Sequence, residues 1–98
     1  MNMARGEEGL RCFSHNQPIA SKYKTTVWLA QYSRTTNTIE HSSGSYLTLN
    51  AFRKAHIKSV SPHLKGADDA WESVRCKVYG KWLRCNEIRR PAELAVVF

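Results

Sequence analysis

Residues 74–85 read VRCKVYGKWLRC, and this stretch decides the fold class. Apolar and polar side chains alternate from Val74 to Val78, the period of a strand with one buried face. Tyr79 and Gly80 then fit a two-residue hairpin turn, with glycine free to take the positive φ such turns require. That turn sets Val78 opposite Lys81, Cys76 opposite Leu83 and Val74 opposite Cys85, a largely apolar face suited to a core. The other face carries Lys77 opposite Trp82 and Arg75 opposite Arg84. Like charges directly across a ladder cost up to about 1 kcal/mol unless an anion or a carboxylate neutralises them. A three-residue loop with Gly80 in a bulge would reverse the faces and send Trp82 into the core.

Working outward, residues 24–33 are rich in β-branched and aromatic side chains and read as a strand. A helix is the competing reading, since Trp28, Leu29 and Tyr32 would share a helical face. Short strands at 38–41 and 46–47 flank the loop 42–45, a second hairpin. A helix follows, with Thr48 or Asn50 as N-cap, Leu49, Phe52 and Ala55 recurring at spacing three, and Pro62 forbidding extension beyond about Val60. Arg53, Lys54 and Lys58 are expected on its exposed side. Trp71 is expected to plug the core under this helix, near Phe52. The expected fold is α+β, a small antiparallel sheet of about four to five strands built from hairpins and packed on one main helix. Residues 1–20 read as a flexible N-terminal arm with Leu10, Phe13 and Ile19 as anchors, 21–90 as a single domain, and 91–98 as a C-terminal tail ending in the apolar run Leu94 to Phe98.

The chain has 98 residues, enough for one core. At 42% hydrophobic it has ordinary globular composition, so a folded chain is expected. Fifteen Lys and Arg against eight Asp and Glu give a formal charge of +7, a balance that attracts polyanions. Three cysteines without a C-x-x-C pair argue against a disulfide framework. The first residues lack a signal-peptide apolar region, and no apolar run reaches the length of a membrane span. An intracellular location, nuclear or nucleoid-associated, is the expectation.

The hairpin face combines cations for phosphates with an aromatic for a base. Arg75, Lys77, Trp82 and Arg84 are therefore the central candidates, with Lys81 beside the turn and Arg53, Lys54 and Lys58 assisting from the helix. Further basic runs, Lys22 to Lys24 and Arg89-Arg90, exceed what solubility alone requires. Cys12-x-x-His15 has ligand spacing for zinc, but no second pair follows, so no metal or cofactor is expected. Asp68, Asp69 and Glu72 lie together, a grouping better suited to helix capping or ion pairing than to acid and base catalysis. No nucleophile elbow, phosphate-binding glycine loop or dinucleotide fingerprint occurs, so a binding protein is expected and not an enzyme. Double-stranded DNA is the expected ligand. The alternative is a protein-interaction module that docks an acidic peptide or a partner subunit on the same basic surface or through the apolar tail.

From Gly44 to Arg89 the order of features resembles the RAMA type of domain, named for its association with restriction enzymes and adenine methylases. The matching features are the GSYLTLNAF run at 44–52 leading into a helix, Ala70-Trp71, and Val78-x-Gly80-Lys81-x-Leu83. The resemblance implies an α+β module attached to nucleases, methylases or chromatin proteins and reading DNA, modified DNA included. It supplies no binding residue for this chain, and the N-terminal half lacks a counterpart of the helix that family has there. The late tryptophan and basic strand are also similar to the SAND type of DNA-binding domain.

Overall fold

The computed structural model describes residue 10, residues 12–65 and residues 68–88. The chain forms β1 (Pro18–Tyr23), β2 (Thr26–Ser33), β3 (Thr38–His41), β4 (Gly44–Tyr46), α1 (Leu49–Val60), α2 (Ala70–Ser73), β5 (Arg75–Val78) and β6 (Lys81–Arg84). A helical turn follows at 85–88. The strands make one antiparallel sheet of six, in the order β4-β3-β2-β1-β5-β6, with α1 against one face. The fold is α+β, with one or two strands more than the sequence suggests.

The additional strand is β1, and it is central. Ile19 is buried and pairs with Cys76 on one side and Ala30 on the other. Residues 12–20 thus belong to the fold and correct the expectation of a flexible arm as far as residue 20: Leu10 and Phe13 are core residues, and the Asn16 amide donates to the Tyr32 carbonyl. Residues 1–9 and the proposed tail at 91–98 lie outside the described residues.

Alternation places Ile19, Ser21, Trp28, Ala30, Tyr32, Ile39 and Cys76 on the helix side of the sheet. Leu49 and Phe52 of α1 close over them. The Thr48 hydroxyl accepts the Ala51 amide at 3.0 Å, the N-cap that starts the helix. The buried stripe of α1 is Leu49, Phe52, Arg53, His56 and Ile57, a true 3.6-residue period, and Ala55 lies beside it. The tryptophan beneath Phe52 is Trp28, stacked between His41 at 4.2 Å and His56 at 4.9 Å. Trp71 stacks on Phe13 instead, with ring centroids 5.8 Å apart, because α2 lies beside the segment that carries Phe13.

Two polar residues of the stripe are satisfied inside. Thr26 Oγ1 donates to the Tyr23 carbonyl, so it accepts from His56 Nε2 at 2.8 Å. His56 Nδ1 then accepts the Ser21 hydroxyl at 2.7 Å, and Ser21 Oγ accepts from Arg53 Nη1 at 2.9 Å. Each donor meets one acceptor, which assigns His56 the neutral Nε2–H tautomer.

Candidate nucleic-acid interface

The hairpin register is the two-residue one. Val78 pairs with Lys81, Lys77 with Trp82, Cys76 with Leu83 and Arg75 with Arg84. Tyr79 and Gly80 have φ of 50° and 81°, the double positive φ of a type I′ turn. Arg75, Lys77, Trp82 and Arg84 therefore share the sheet face turned away from α1. Four residues of the next two strands join them there, Ala20 and Lys22 from β1 and Val27 and Leu29 from β2, because Ala20 pairs with both Leu29 and Arg75.

No element covers this face among the described residues, and it exposes apolar surface. Leu29 is 65% exposed, Val27 52% and Trp82 41%. Ala20, Lys22, Val27, Leu29, Ser73, Arg75 and Trp82 line a shallow depression of about 280 Å³. The Lys77 ammonium lies 5.9 Å from the centre of the Trp82 ring.

The repulsion between Arg75 and Arg84 is relieved by carboxylates. Arg84 Nη1 lies 3.5 Å from Glu72 Oε1, and its Nε 3.3 Å from Glu87 Oε2. Arg84 is thus largely neutralised, and the cations of the face that form no ion pair among the described residues are Lys22, Arg75 and Lys77.

The candidates from α1 separate from this face. Arg53 is 4% exposed, which overturns its assignment as a phosphate contact. Its Nε and Nη2 each meet an Asp68 carboxylate oxygen at 2.9 Å, and its Nη1 also donates to the Lys22 carbonyl at 2.8 Å. This fork holds the Asp68 carboxyl below its ordinary range. Lys54 and Lys58 are exposed, but on the helix and not on the open sheet face. Lys81 is exposed too, yet its pairing with Val78 points it to the helix side of the sheet.

The remaining sequence candidates have structural roles. Asp69 caps α2 by accepting the Trp71 amide, and Glu72 serves Arg84 and Asn86. His15 Nδ1 accepts the Arg34 amide. The Cys85 thiol is pushed far up by its hydrogen bond with Cys76 and by burial, which keeps it protonated and a poor nucleophile. At the far end of the open face Glu40 accepts hydrogen bonds from Thr36, Thr38 and Ser45, which hold its carboxyl low and make that end acidic where the β1, β5 and β6 end is basic.

Sequence reasoning missed Ala20, Val27 and Leu29 altogether and read Lys22 only as part of a basic run. The available signal is the run Val27-Trp28-Leu29-Ala30, apolar at four successive positions of a strand, so that its outward positions Val27 and Leu29 are apolar as well as its inward ones. Compared with protein-family models, curated proteins and solved structures, the chain matches none.

Proposed function

We propose that the protein is a nucleic-acid-binding module that uses its open sheet face. One observation carries the reading: among the described residues a solvent-exposed tryptophan stands with three cations that form no ion pair, Lys22, Arg75 and Lys77, on a sheet face with nothing packed over it. Cations supply the salt-dependent attraction to phosphates, and an aromatic on a flat sheet supplies a stacking surface for a base. The net charge of +7 draws a polyanion to the protein over a longer range. DNA is the ligand we put first, in keeping with the RAMA-like order of the 44–52 run, Ala70-Trp71 and the Gly80-Lys81 turn. A nuclear or nucleoid location accords with that role. Among the described residues no helix is long and apolar enough to cross a membrane.

An acidic peptide could use the same cations, and the exposed Val27 and Leu29 give that second reading its own support. Charge reversal separates the classes. Arg75→Glu with Lys77→Glu should weaken binding to labelled DNA by at least about tenfold at low salt and leave the melting temperature nearly unchanged, since both side chains are exposed. Lys54→Glu with Lys58→Glu should cost much less. Absence of binding to any duplex or single strand by the unaltered protein at about 50 mM salt would refute the proposal, because electrostatic affinity is largest there.

A further inference from the structure

We infer that the depression on the open sheet face holds a single strand of DNA with its bases unpaired, one base lying against Trp82. This rests on the nucleic-acid reading and departs from the duplex expected from the sequence, because it specifies which form of the polymer the face takes. A duplex turns its phosphates and groove edges outward and keeps base faces stacked inside, so it offers nothing for an indole ring on a sheet to stack upon. An unpaired strand does offer base faces. The depression is lined by Ala20, Val27, Leu29 and Trp82 with Lys22 and Arg75, and among the described residues its lining contains no carboxylate. It is an open, shallow depression of about 280 Å³.

The cations fit the same occupant. Arg75 and Lys77 are two residues apart on β5, so their attachment points lie about 7 Å apart. That matches successive phosphates of an extended strand. Lys22 stands one strand over, about 5 Å across from β5. The Lys77 ammonium beside the Trp82 ring can meet the phosphate of a nucleotide whose base stacks there. Val27 and Leu29 favour a base that carries a methyl group, and among the described residues Ser73 is the only neutral polar side chain in the lining, which leaves little to recognise a 2′-hydroxyl. Thymine-rich DNA is the occupant these contacts select.

Fluorescence anisotropy of a labelled oligothymidylate, set against a duplex and an oligouridylate of the same length, tests this on the intact chain. The oligothymidylate should bind at least about tenfold more tightly than the duplex, and more tightly than the oligouridylate. Its log affinity should fall with log salt at a slope near −2, since three phosphate contacts on a single strand each contribute about −0.7. Trp82→Ala should weaken it about tenfold to a hundredfold, and Trp82→Phe should retain most of the binding. Leu29→Glu gives an independent check at a position 65% exposed, where a carboxylate repels the strand without disturbing the core. A duplex bound as tightly as the single strand, or an oligothymidylate affinity unmoved by both Trp82→Ala and Leu29→Glu, would overturn the inference while leaving nucleic-acid binding in place. Equal or tighter binding of the oligouridylate would overturn the choice of DNA. If none of the three probes binds at about 50 mM salt, the proposed function fails with it.

Discussion

Replacing Arg53 with alanine should destabilise the protein and leave its ligand affinity alone. The side chain is 5% exposed, and its guanidinium makes four hydrogen bonds: two to Asp68 and one each to Ser21 and the Lys22 carbonyl. Removing one partner of a fully buried ion pair costs about 3 to 5 kcal/mol. Asp68 is 47% exposed and recovers water when Arg53 is gone, so the upper part of that range does not apply. The losses that remain are the charge-assisted bonds across α1 and β1, the packing of the arginine stem, and the donor to Ser21. About 2 to 4 kcal/mol is expected. For a chain of this length that lowers the melting temperature by roughly 10 to 25 °C. Urea unfolding read by tryptophan fluorescence measures the free energy, and anisotropy on the folded variant measures binding. A loss under about 1 kcal/mol together with weakened DNA binding would return Arg53 to the surface and refute the buried fork.

Three further outcomes follow from the packing. Trp71→Ala, which removes a half-buried ring stacked on Phe13, should cost about 2 to 3 kcal/mol in the same urea assay, and a neutral result would mean that α2 does not hold that ring against the core. Tyr79→Asn should add about 0.5 to 1 kcal/mol, since Tyr79 is fully exposed, has φ of 50° and occupies the turn position where Asn before Gly is preferred; a lower melting temperature would count against the type I′ turn. Burial holds the His56 imidazole below its ordinary value of 6.5, with repulsion from Arg53 and His41 adding to it, and burial also lowers His41. The unfolded chain therefore takes up more protons as the pH falls through 6.5, and stability present above that point should decline before the carboxylates titrate. A melting temperature that stays level between about pH 7.5 and 5 would contradict this.

The parts of the fold legible in the sequence are those where chemistry and period agree. In the stretch 74–85 apolar and basic residues alternate around a glycine turn, so register, facing and the outward tryptophan all follow. The helix boundary was equally readable, because Thr48 is a capping residue and Pro62 ends the possible run. β1 is not legible because its inward positions include Ser21, whose hydroxyl is satisfied by a histidine and an arginine 35 and 32 residues away, and no local pattern announces such partners. The burial of Arg53 is illegible for the same reason: it depends on Asp68 beyond the helix and on β1, which no local pattern marks. The binding face was half visible, since the hairpin contributes Arg75, Lys77 and Trp82, while its apolar floor comes from β1 and β2, brought alongside only by the sheet order.

An amide and indole chemical-shift titration with oligothymidylate tests most directly whether the open sheet face is the binding surface. The Trp82 indole signal and the amides of Lys22, Leu29, Arg75 and Lys77 should move together and saturate, while those of Lys54 and Lys58 on α1 stay in place. Shifts centred on α1, or a saturating complex that leaves the Trp82 indole unmoved, would contradict it.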